Sequence, residues 1–154
     1  MTTSDKSRAI LLLLVKLEEE VGSLYQLCAE QYPEHTSFWT TLAGEEARHA
    51  ELLRSLLPAI ESGRLAIPER NIKLDSLQFF YEYLHQQKNY VAQHHQPYHD
   101  AVSIAVDVES RIVEREYFGY FEGEAPEVEP IIAELRAESR DHLAHLEKLK
   151  EDTR

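Results

Sequence analysis

Four stretches of the chain repeat apolar side chains at alternating steps of three and four residues, and in each a carboxylate or an imidazole stands inside the apolar stripe. The first runs Leu11, Leu14, Glu18, Val21, Tyr25, Cys28, Tyr32, and the second His35, Trp39, Leu42, Glu46, His49, Leu53, Leu56, Ile60. The third reads Val102, Ala105, Glu109, Ile112, Glu116, and the fourth Ile131, Leu135, then Glu138 or Ser139, His142, Leu146, Leu149. This spacing is one face of an α-helix. A lone charge buried in such a face is costly, so a carboxylate persists there only when it is protonated, paired with a base or bound to a metal. The fold has to bring these groups together.

Only five glycines occur, and Pro33, Pro68, Pro126 and Pro130 fall between or at the edges of the periodic stretches. Helices are expected near residues 5–32, 36–57, 97–121 and 130–151, with Pro97 suited to a first turn and Pro58 ending or kinking the second helix. The long link between the second and third carries Phe79, Phe80, Tyr81 and Tyr83, and a short helix is expected there near 75–91. Two short turns and one long crossover predict an all-α four-helix bundle of two hairpins, a single domain over 1–154. Helix one also has a second apolar row, Ile10, Leu13, Leu17, Leu24 and Leu27. Either the aromatic crossover helix or a second copy of the chain has to cover it, and a homodimer is the expectation.

A net formal charge of −12 repels phosphate backbones, so nucleic acid and anionic membranes are excluded as partners and metal cations are the natural ones. The longest apolar run, Ala9 to Val15, is far below the roughly 20 residues that span a bilayer. Lys6 and Arg8 precede it, but no small-x-small cleavage site follows. The single cysteine, Cys28, excludes an intramolecular disulfide and any CxxC zinc or rubredoxin-type iron site within these residues, and a reducing, cytoplasmic setting is expected.

Glu46 and His49 form an ExxH pair on one helix face. Ligands on two antiparallel helices must be equidistant from the turn that joins them. The midpoint of Glu18 and Glu46 falls at residue 32, and that of Glu18 and His49 at 33.5, inside Tyr32-Pro33-Glu34. For Glu109 and His142 it falls at 125.5, inside Gly123-Glu124-Ala125-Pro126. The Glu-to-His intervals of 31 and 33 residues suggest a duplicated helix pair. Glu20, on the neighbouring stripe, competes with Glu18 as a ligand. Cys28 is expected to pack as a small apolar side chain.

The segment Leu17-Glu18-Glu19-Glu20-Val21-Gly22-Ser23-Leu24-Tyr25 resembles the first metal-binding helix of the rubrerythrin-type domain in the ferritin-like superfamily, with a tyrosine seven residues after the glutamate. Gly44-Glu45-Glu46-Ala47-Arg48-His49-Ala50-Glu51-Leu52-Leu53 is similar to the second. The resemblance covers the four main helices. It implies two irons held by one glutamate from each of helices one and three and an ExxH from each of helices two and four, here Glu18, Glu46, His49, Glu109 and His142. Ser139 stands where the family has the glutamate of its second ExxH, with Glu138 one position earlier; Glu138 still shares a face with His142 and is the candidate substitute. Ile112 occupies the position of the extra helix-three glutamate of peroxidase-type rubrerythrins.

Three carboxylates in place of four favour one metal ion, or two held weakly, with the tighter position served by Glu46 and His49. Iron follows from the resemblance, while the ligand types also accept manganese or zinc. Three functions are compatible with these residues: a di-metal oxidoreductase acting on O₂ or peroxide, a non-catalytic metal-binding or storage protein, and a metal-free helical bundle that mediates association.

Overall fold

The computed structural model describes residues 2–154, whose regular secondary structure is helical apart from two strands of two residues each. Five helices of 18 residues or more carry the architecture: α1 (Thr3–Gln31), α2 (Thr36–Arg54), α4 (Leu74–Gln93), α5 (Tyr98–Arg115) and α6 (Val128–Asp152). The short α3 (Leu57–Glu61) follows α2 and has Pro58 in its first turn. Among the described residues, no helix is long and apolar enough to cross a membrane.

Local chemistry sets most of the boundaries. Thr2 caps α1 by accepting from the Asp5 backbone N–H at 3.0 Å while the Asp5 carboxylate accepts from the Thr2 N–H at 3.1 Å, a reciprocal box that satisfies two otherwise free donors. Pro33 begins a one-turn 3₁₀ segment, Pro33–His35, that reverses the chain into α2. Pro97 precedes the first residue of α5, where its missing N–H costs nothing.

α1 packs along α2, and α5 along α6, while α4 lies against α1. The second apolar row of α1 is covered in part within the chain: Ile10, Leu17 and Leu24 are buried, and Leu77, Phe80, Leu84 and Val91 are the buried residues of α4. Leu13 and Leu27 of the same row remain partly buried. Glu20 fastens the same contact, with Lys88 Nζ at 2.6 Å and His85 Nδ1 at 3.0 Å.

Three expected boundaries move. The second helix stops at Arg54 rather than 57, because the chain turns through Ser55 and Leu56 before Pro58 starts α3. The aromatic crossover helix is as long as α2, since its apolar side has all of α1 to pack against. α5 ends at Arg115 rather than 121, where Glu116 takes a left-handed conformation (φ 47°) and leads into a 3₁₀ turn over Tyr117–Tyr120. Beyond it, β2 (Glu122–Gly123) pairs antiparallel with β1 (Leu65–Ala66). Gly123 is required there: its φ is 148°, and a Cβ would lie 2.1 Å from the Arg64 carbonyl oxygen.

Candidate metal centre

Each of four helices brings its interrupting residue to the middle of the core. α1 supplies Glu18, α2 Glu46 and His49, α5 Glu109, and α6 His142, and all five are at least 96% buried. Gly22 of α1 faces this point, where a Cβ would stand in van der Waals contact, 3.4 Å from the Glu46 Cβ.

Glu46 is the hub. Its Oε1 accepts from His142 Nδ1 at 3.0 Å, and its Oε2 lies 3.5 Å from His49 Nδ1. Around it the two histidines are placed alike, their rings stacked at 5.4 Å between centroids. His49 Nδ1 is 3.8 Å from Glu18 Oε2, and His142 Nδ1 is 3.5 Å from Glu109 Oε1. The Tyr25 hydroxyl donates to Glu109 Oε1 at 2.6 Å and fixes that carboxylate.

The outer nitrogens of the two rings are held crosswise. Glu138, on α6, accepts from His49 Nε2 at 3.0 Å, and Glu45, on α2, accepts from His142 Nε2. Glu138 therefore lies on the outer side of the His49 ring, where Arg48 also donates to both its oxygens, at 3.0 and 3.1 Å. Ser139 takes the buried stripe position. Glu45 and Arg48 were absent from the sequence-derived set. The signal for Glu45 was present nonetheless, since Glu45 and Glu138 are 93 residues apart, as are His49 and His142. Glu20 is turned to α4 and takes no part in the cluster.

Proton affinities follow from the crowding. Burial, and then the neighbouring Glu46 charge, push the Glu18 carboxyl well above the usual carboxylate range. Burial alone would lower the histidines, but facing carboxylates outweigh it: Glu18 and Glu46 raise His49 to about 10, and Glu109 and Glu46 raise His142 to about 11. Burial, reinforced by the Glu109 carboxylate, raises the Tyr25 phenol far above 10, so it remains a hydrogen-bond donor. Cys28 is buried, and that burial pushes its thiol to about 12, which makes it inert.

Glu46, His49 and His142 each offer a ligand atom within 4.8 Å of the other two, close enough to hold a metal ion. Glu46 Oε2 and His49 Nδ1 are also buried without any hydrogen-bond partner. Unpaired buried polar atoms are rare and costly. Two of them facing one another beside a third donor fit a cation that would bind them all. One carboxylate with two imidazoles is a donor set for manganese, iron or zinc alike. Comparison of the chain with known protein families, with curated proteins and with solved structures finds no match.

Proposed function

We propose that the chain is a ferritin-like, rubrerythrin-like four-helix bundle, with α1–α2 and α5–α6 as its hairpins and α4 in the crossover, and that it binds one iron ion at Glu46, His49 and His142. The observation that carries this reading is the buried, unpartnered pair Glu46 Oε2 and His49 Nδ1 beside His142. Glu18 and Glu109 flank the two histidines and complete the donor set. Glu45 and Glu138 hold the outer ring nitrogens, which keeps each Nδ1 turned inward and makes the ring a better ligand. Tyr25 anchors Glu109. Bound iron supplies one-electron chemistry toward O₂ or peroxide. With Ser139 in the α6 stripe, a second ion has no carboxylate corresponding to Glu46.

A second reading is favoured by the near-complete pairing of the same groups: a metal-free polar core in which two imidazolium rings neutralise buried carboxylates and fix helix register. Metal analysis of protein purified without added metal, followed by anaerobic addition of Fe(II) and exposure to O₂ or peroxide, separates the two. One iron per chain with oxidation of bound Fe(II) is the expected result. Iron without turnover leaves a storage or sensing role, and no metal under either condition leaves the polar core.

A further inference from the structure

A row of three oxidisable rings runs from the buried cluster to the surface. Tyr25 and Trp39 are fully buried with their ring centroids 5.5 Å apart, and the Tyr25 hydroxyl donates to Glu109 Oε1 at 2.6 Å, which puts the inner end of the row on the cluster itself. Trp39 continues to Tyr98, 6.3 Å away between centroids, and its indole N–H donates to the Tyr98 hydroxyl oxygen at 3.0 Å. Tyr98 is half-buried at the start of α5 and stacks on His35 at 3.9 Å. It lines a cavity of about 310 Å³ where Tyr32 and Pro33 of the α1–α2 turn meet Pro97.

Electron counting gives this row a task. Turning H₂O₂ into two waters takes two electrons and two protons. An ion passing from Fe(II) to Fe(III) accounts for one electron, so with one ion per chain the other is left to the protein. Tyr25 is the oxidisable side chain hydrogen-bonded to the cluster, and Glu109 lies within reach of its proton as the electron leaves.

We propose, on the reading of one iron per chain, that Tyr25, Trp39 and Tyr98 form an electron relay that carries the second electron of peroxide reduction inward from the surface. Tyr25 gives an electron to the centre and its phenolic proton to Glu109. An electron from Tyr98 then returns through Trp39, which keeps its N–H, and the proton passes back from Glu109 to Tyr25. Tyr98 releases its own proton to solvent and is left as a neutral phenoxyl radical. The two protons that complete the waters come from solvent. A reductant of the ascorbate class restores Tyr98 from the cavity by giving it one electron and one proton.

Trp39 is the only tryptophan of the chain, so a UV flash at the red edge of its absorption oxidises that ring selectively in metal-free protein. The absorption of its radical is expected to convert into that of a tyrosyl radical, and the conversion is expected to be lost when Tyr25→Phe and Tyr98→Phe are combined. In a second experiment, protein loaded anaerobically with Fe(II) is mixed with one equivalent of H₂O₂ and frozen for electron paramagnetic resonance, with ring-deuterated tyrosine to identify the radical. The parent is expected to give a tyrosyl signal that ascorbate removes. Trp39→Phe, outside the ligand set, is expected to bind iron as the parent does and to trap on Tyr25 a radical that ascorbate no longer removes. Tyr98→Phe, which deletes a single oxygen atom, is expected to protect the inner radical in the same way, and it decides the matter where Trp39→Phe folds poorly. No tyrosyl radical in the parent, or equal removal by ascorbate in parent and variants, would overturn the relay. Flash transfer without Fe(II) uptake would sink the metal reading alone; Fe(II) uptake with a Trp39 radical that does not move on would sink the relay alone.

Discussion

Replacing Glu46 by glutamine preserves the side-chain volume and removes one charge from the centre of the cluster. Glu46 is 1% exposed, with its oxygens 3.0 Å from His142 Nδ1 and 3.5 Å from His49 Nδ1. Without metal, the substitution leaves two buried imidazolium rings short of the carboxylate they share. Removing one partner of a buried ion pair costs about 3–5 kcal/mol. At roughly 2–4 °C per kcal/mol for a domain of this size, the metal-free variant is expected to melt about 6–20 °C below the parent. Iron affinity is expected to fall further than the ~10–100-fold typical of losing a partner that only orients a ligand, because both a ligand atom and a neutralising charge are gone. Circular-dichroism melts in chelator and anaerobic Fe(II) titrations measure the two effects. Glu45→Gln, which removes only the outer hydrogen bond to His142, is the internal comparison and is expected to cost less in both. An unchanged melting temperature with unchanged iron affinity in Glu46→Gln would refute the assignment of Glu46 as the hub.

Folding raises His49 from 6.5 to about 10 and His142 from 6.5 to about 11, so their stabilisation of the metal-free protein is complete below about pH 6.5 and is lost as pH rises through those values. The melting temperature without metal is therefore expected to fall steadily from pH 6.5 to 10, and Glu18, also raised, acts in the same sense; a flat profile over that range would count against the protonated cluster. Iron binding is expected to strengthen over the same range and to release protons, which calorimetry in buffers of different ionisation enthalpy detects. Gly22→Val places a branched side chain where even a Cβ stands 3.4 Å from that of Glu46, and it is expected to weaken iron binding while α1 stays helical by circular dichroism. Ser139→Glu restores a carboxylate to the α6 stripe, and its iron stoichiometry is expected to rise from one toward two.

The helices were legible because each has a long apolar stripe and because proline marks most of the connections. The heights of Glu18, Glu46 and His49 about Tyr32-Pro33-Glu34 were legible for the same reason: antiparallel geometry converts sequence distance into spatial level. Helix α5 was overextended because Glu116 turns left-handed with neither a glycine nor a proline to announce it. The pairing of β1 with β2 was hidden, since two-residue strands carry no periodicity. The role of Glu138 follows from the crossing of α2 and α6 rather than from its own helix. Sharing a face with His142 made it look like a metal ligand beside His142, yet its carboxylate reaches across to His49 Nε2, as Glu45 reaches back to His142. Spacing along one helix says which residues share a face; which of two facing histidines a carboxylate meets is decided by the packing of the partner helix.

One metal ion is proposed among Glu46, His49 and His142. Anomalous scattering at the iron edge, from crystals of protein loaded anaerobically with Fe(II), tests it most directly. A single strong peak per chain is expected, bonded to a Glu46 oxygen and to the Nδ1 atoms of His49 and His142 at about 2.0–2.3 Å, the range of such bonds for first-row metals. A cluster with no peak, or a peak held only by exposed carboxylates, would contradict it.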